Sequence, residues 1–137
     1  MTPIINPQQL IDAAKEARTY AYAPYSQFLV GAVVLTRDGQ LFKGCNIENA
    51  AYPSTNCAER VAMQSAWAVG ARDIVALAVV ADTPGPVSPC GGCRQVMAEL
   101  AKDAVVFLAN MHGNWVETSV AQLLPGAFDP NDLPNTQ

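Results

Sequence analysis

From Ile74 to Ala81 the chain reads Ile-Val-Ala-Leu-Ala-Val-Val-Ala, without a single polar side chain. A strand with one wet face alternates polar and apolar residues, so an unbroken apolar run fits a strand covered on both faces. The sequence around it supplies the cover. Asn6-Pro7-Gln8-Gln9 carries the N-cap, first-turn proline and capping glutamine of a helix start. That helix is predicted to run to about Tyr22, stopping before Ala23-Pro24. Ala58 to about Val69 reads as a second helix closed by Gly70, and Cys90 to Lys102 as a third.

Phe28 to Thr36 is rich in strand formers, Asp38-Gly39 is a hairpin turn signal, and Leu41 to about Ile47 is the return strand. Ala104 to Ala109 is another buried strand. Strand, helix and strand over 74–109 imply a right-handed parallel crossover. Trp115 to Glu117 adds a short strand and Thr118 to Leu124 a short helix before a proline-rich tail. The fold class is α/β: a three-layer sandwich whose mixed sheet joins an antiparallel hairpin to parallel crossover strands, with helices on both faces. Its 137 residues suit one domain, 1–137, with neither repeat nor linker.

Charge narrows the partners. Eight Lys plus Arg against twelve Asp plus Glu leave a net charge of −4 and no basic stripe, which argues against a polynucleotide partner. No apolar stretch is long enough to span a bilayer. The opening Met1-Thr2-Pro3-Ile4-Ile5-Asn6-Pro7 has neither the basic nor the long apolar region of a leader, so the expected location is cytoplasmic. Four cysteines in such a chain are expected to be reduced ligands or core residues rather than disulfides.

Three of those cysteines form a pattern, Cys57-Ala58-Glu59 and Pro89-Cys90-Gly91-Gly92-Cys93. C-x-E followed by P-C-x-x-C is the zinc-deaminase signature, with cysteine in place of the histidine that many members carry. Cys57, Cys90 and Cys93 would hold one Zn²⁺ per chain and leave its fourth position open, as a catalytic site requires. Both ligand groups fall at predicted helix N-termini, where the dipole favours thiolates. Glu59 is the candidate proton shuttle, first base and then acid. Three thiolates leave the site net negative, and Arg60 and Arg94, each beside a ligand, are expected to donate hydrogen bonds to the sulfurs.

Other readings of these residues exist. Cys90-x-x-Cys93 alone would suit a redox pair or half of a structural zinc knuckle. Cys45 as a fourth thiolate would close the site, although a small core cysteine in a strand is the commoner outcome. His112, in Met111-His112-Gly113-Asn114, reads as a solvated turn residue.

The chain resembles the small cytidine deaminases of the homotetrameric type along nearly its whole length. The likeness lies in Tyr22 to Ala32 (YAPYSQFLVGA), Gly44 to Pro53 (GCNIENAAYP), Cys57 to Arg60 (CAER), Ser88 to Gln95 (SPCGGCRQ), and Leu123 to Phe128 (LLPGAF) followed by Pro130. Asn56 before the first ligand and Gly92 between the paired cysteines depart from the family pattern. The resemblance implies that Asn46 and Glu48 bind the 3′ hydroxyl of a nucleoside sugar, for which an amide and a carboxylate supply donor and acceptor. It implies that Phe28 packs on the pyrimidine and that the backbone around Ala58 and Cys90 reads the base edge. It also implies that Ala50, Tyr52 and Phe128 enter neighbouring subunits' sites in a homotetramer. Read from the residues alone, Phe28 is a core strand residue and Phe128 a tail anchor.

The implied activity is hydrolytic deamination of cytidine and 2′-deoxycytidine in pyrimidine salvage. Deamination of another aminated heterocycle is the neighbouring reading, disfavoured by the Asn46-x-Glu48 pair, which a free base does not need. Polynucleotide editing conflicts with the acidic balance. A non-catalytic zinc module with Cys45 as fourth ligand leaves Glu59 without a role.

Overall fold

The computed structural model describes residues 3–134; Met1 and Thr2 of the opening segment lie outside them. A five-stranded sheet runs in the order β2-β1-β3-β4-β5. Its strands are β1 (Val30–Thr36), β2 (Leu41–Cys45), β3 (Ile74–Ala81), β4 (Val105–Asn110) and β5 (Trp115–Ser119). β3 and β4 are parallel, and the other neighbours are antiparallel. Helix α1 (Pro7–Arg18) covers one face, and α2 (Ala58–Ala68) and α3 (Gly91–Leu100) cover the other. α4 (Val120–Leu123) is a single turn after β5.

All eight residues of β3 are buried. Leu77 and Val79 join Ala62, Met63 and Met97 from α2 and α3 in one core. Ala78 and Val80 join Leu10, Ile11 and Ala14 from α1 in the other. Fully burying each of the larger side chains is worth about 1.5–3 kcal/mol. The three layers expected from the apolar run are present.

Boundaries shift where side chains compete with the backbone. α1 ends at Arg18 rather than near Tyr22, because Thr19 turns back on Glu16 through both its amide (3.1 Å) and its hydroxyl (2.7 Å). β1 starts at Val30 rather than Phe28, because the Asn46 side chain takes the Phe28 carbonyl and the Val30 amide. Cys57 and Cys90 are caps immediately before their helices.

Two glycines let the helices lie against the sheet. A Cβ at Gly31 would sit 2.0 Å from the Ala14 carbonyl oxygen. One at Gly44 would sit 2.4 Å from both the Ala58 carbonyl oxygen and the Ala62 amide nitrogen. The Trp67 indole donates to the Leu100 carbonyl at 3.1 Å and ties α2 to the end of α3. That packing brings the N-termini of α2 and α3 together.

Candidate active site

The sulfurs of Cys57, Cys90 and Cys93 lie within 4.8 Å of one another. Tetrahedral coordination at a zinc–sulfur distance of about 2.3 Å spaces sulfurs by about 3.8 Å, so this donor set fits zinc with small adjustment. Neither Cys57 nor Cys90 spends its side chain on capping a helix amide. Cys45 sits on β2 opposite Gly31 and outside the cluster. His112 is an exposed turn residue whose Nε2 meets the Asp82 carboxylate at 2.8 Å.

Crowding sets the thiol chemistry. A hydrogen bond from Cys93 draws the Cys57 thiol down to about 6. The same bond, followed by burial and by the charge of Glu59, pushes Cys93 far up. The two titrate as a pair that shares a hydrogen bond between its sulfurs. A divalent cation removes that conflict by paying for all three thiolates at once.

Glu59, at the second position of α2, is 4% exposed and lines the same cavity. Burial raises its carboxyl above the ordinary value, against the pull of its own amide, Cys93 and Arg60. A raised carboxyl is better matched to taking up and returning a proton than an ordinary one.

The two arginines have different destinations. Arg60 lies over Gly92, where a Cβ would come within 2.5 Å of a guanidinium nitrogen. Burial opposes its charge, but a hydrogen bond to Cys93 and the nearby thiolates outweigh that and raise its pKa. Its Nε is buried without a partner among the described residues. Gly92 thus makes room for the cation that faces the sulfurs. Arg94 instead donates to the Pro89 carbonyl (2.9 Å), the Leu123 carbonyl (2.9 Å) and the Ser88 hydroxyl (2.7 Å). It braces the loop that presents Cys90.

The cavity measures about 490 Å³ and runs from the sulfurs to Phe28, Asn46 and Glu48. Ala58, Ala50 and Tyr52 line it as well; Phe128 does not. Phe28 is 42% exposed and so is not a core residue, whereas Tyr52 is 84% and Phe128 57% exposed. The Phe128 carbonyl accepts from Gln95 at 3.0 Å, which holds the tail against α3. Ser26 and Asn56 also reach the cavity. Ser26 did not stand out in the sequence, where a serine in a loop has no distinguishing spacing, and Asn56 was marked only as a departure from the family pattern before the first ligand.

Three thiols gathered for a metal with one position to spare, beside a buried carboxylate and under a mixed α/β sheet, define a zinc-dependent hydrolytic enzyme. The model of the cytidine and deoxycytidylate deaminase zinc-binding region matches residues 5–109. A cytidine deaminase of Sporosarcina psychrophila is 57% identical over 127 residues, 92% of this chain and 93% of that protein. One from Halalkalibacterium halodurans is 56% identical, over 92% of this chain and 96% of its own. The crystal structure of a cytidine deaminase from Burkholderia pseudomallei superposes with a TM-score of 0.89 at 54% identity, covering 90% of this chain and all of that one. The chain belongs to the cytidine deaminase family, zinc is its cofactor, and the three thiols are placed to hold it. No helix among the described residues is long and apolar enough to cross a membrane.

Proposed function

We propose that this chain, as one catalytic domain, hydrolyses cytidine and 2′-deoxycytidine to uridine and 2′-deoxyuridine with release of ammonia. The observation that carries the reading is a single cavity shared by the three sulfurs, buried Glu59, Phe28, Asn46 and Glu48. When bound, zinc supplies the Lewis acidity that makes water a nucleophile near neutral pH.

Glu59 handles the protons. Its carboxylate takes one from water and passes it to the ring nitrogen N3 while the water oxygen adds at C4. It then carries the second water proton to the amino group. The C4–N bond breaks, ammonia leaves, and a C4 carbonyl remains. The raised pKa of Glu59 suits both directions of transfer. The amide of Ala58, in the first turn of α2, has no intrahelical partner and receives no cap from Cys57, which frees it for the pyrimidine carbonyl. Phe28 supplies a ring face. Asn46 keeps one N–H, and Glu48 has spare acceptor capacity, for the sugar hydroxyl. Arg60 offsets the charge of three thiolates, while Arg94 fixes the Cys90 loop.

The active unit is a cytoplasmic homotetramer with shared sites. Exposed Tyr52 at the cavity mouth and Phe128 outside its own cavity support completion by neighbouring copies. Sedimentation of the zinc-loaded protein tests the assembly; a monomer at full activity refutes it.

The reaction is tested by following cytidine and deoxycytidine absorbance together with ammonia release, with Glu59→Gln run alongside. Glu59→Gln is expected to keep zinc and lose about 10²–10⁴-fold in kcat. A near-normal rate removes Glu59 from the shuttle role. Failure of the zinc-loaded parent to convert either nucleoside redirects the reading to another aminated heterocycle.

A further inference from the structure

Among the described residues, Gln27 is the only non-glycine with a positive φ, at 58°. It stands in the loop between α1 and β1, flanked by Tyr25, Ser26 and Phe28, all three of which line the cavity. Its side chain is exposed and makes no hydrogen bond among the described residues, so its contribution is the backbone. A residue stays in the left-handed region only when its surroundings over-determine it. Here they do. The Gln27 amide donates to the Ala23 carbonyl at 2.9 Å and closes a turn around Pro24. Glu48 Oε1 accepts the amides of Tyr25 (2.9 Å) and Ser26 (3.1 Å), and its Oε2 takes the Ser26 hydroxyl. Ser26 Oγ in turn accepts the Phe28 amide at 3.1 Å. On the far side, Asn46 grips the Phe28 carbonyl and the Val30 amide.

We propose that Gln27 and Ser26 are positioning residues for the substrate pocket: the left-handed turn at Gln27 delivers Phe28 to the cavity, and the Ser26 hydroxyl joins that turn to the Glu48 carboxylate. The ring face and the sugar-facing carboxylate are thereby set by one rigid loop. An exposed loop of this kind is otherwise mobile, and ordering it on binding weakens affinity. The device therefore acts on substrate affinity rather than on the proton transfers at Glu59. This inference rests on the nucleoside-deaminase reading, but part of its test does not.

Gln27→Val puts a β-branched residue where the left-handed region is least tolerated, whereas Gln27→Asn keeps a residue that accepts it. In the zinc-loaded enzyme, Gln27→Val is expected to raise KM for cytidine roughly tenfold with kcat within about twofold, and Gln27→Asn to restore both. Ser26→Ala is expected to raise KM in the same way and serves in place of Gln27→Val if that variant does not fold. Amide hydrogen exchange at Tyr25, Ser26 and Phe28, read by NMR, should accelerate in both variants. Parental KM with parental exchange overturns the proposal, and so does an equal fall in kcat with KM unchanged. If the parent converts no nucleoside, the functional reading fails by itself. Exchange at the three amides then decides the loop device: faster in Gln27→Val but not in Gln27→Asn supports it, and unchanged in both refutes it.

Discussion

Gly44→Ala should disable this enzyme from a position that never touches substrate. The added Cβ meets the Ala58 carbonyl oxygen and the Ala62 amide nitrogen at 2.4 Å each, and the Ala62 Cα at 3.0 Å. All three are backbone atoms of α2, so no side chain can swing aside. Restoring ordinary contact at 3.4 Å from 2.4 Å requires α2 to retreat about 1 Å from β2. Overpacking of this kind costs about 1–3 kcal/mol. A 2 kcal/mol loss lowers Tm by roughly 6 °C in a domain of this size. The larger effect is on the site. α2 carries Cys57, Ala58 and Glu59 at its start, and a misplacement of about 1 Å at a reacting group costs on the order of 10²-fold in rate. The assay pairs thermal unfolding of the zinc-loaded protein with kcat on cytidine and zinc stoichiometry. Gly39→Ala is the control, because its Cβ meets nothing within 4 Å and only its φ of +91° is strained. That variant should lose about 1 kcal/mol of stability with kcat intact. A Gly44→Ala enzyme with parental Tm and kcat would refute the claim that close approach of β2 positions the site.

Chelation should abolish activity and added zinc should restore it, with one ion per chain by metal analysis. Cys45→Ser should retain both zinc and turnover, since Cys45 lies outside the sulfur cluster; loss of zinc in that variant would instead indicate a closed four-thiolate site. The Ser26 hydroxyl, then the amides of Ser26 and Tyr25, hold the Glu48 carboxyl below its ordinary 4.5. A depressed carboxyl stabilises the fold above the unfolded pKa, and that contribution is lost as pH falls through the lower folded value. Comparing the parent with Glu48→Gln, the stability advantage of the parent should persist from neutral pH to about 4.5 and shrink below it. An advantage independent of pH would show that the clamp does not depend on the ionised carboxylate.

The sulfur cluster and the carboxylate beside it were legible because they depend on residue types at short spacing. Cys57 and Glu59 are two apart, and Cys90 and Cys93 three apart, each set at the start of a helix. β3 was legible to the residue because nothing within Ile74–Ala81 competes with the ladder. Where a side chain did compete, the sequence reading slipped: at Thr19, which ends α1 early, and at Phe28, whose carbonyl is taken by Asn46. Arg94 was misplaced for a related reason. Adjacency to Cys93 in sequence says nothing about which of several carbonyls its long side chain will reach, and it reaches Pro89 and Leu123.

Local chemistry and periodicity, then, were determined by the sequence alone: the three layers, the ligand set and the carboxylate beside it. Tertiary structure decided what long-range packing decides. It brought the sulfurs at two helix N-termini, separated by a whole strand, to within 4.8 Å of one another, laid α2 on Gly44, and put Arg60 over Gly92. It also set Gln27 in a left-handed turn next to Tyr25 and Ser26, which are held by Glu48 from the far side of the β1–β2 hairpin. Such contacts link residues distant in the chain, and their free energy exists only once the layers have closed.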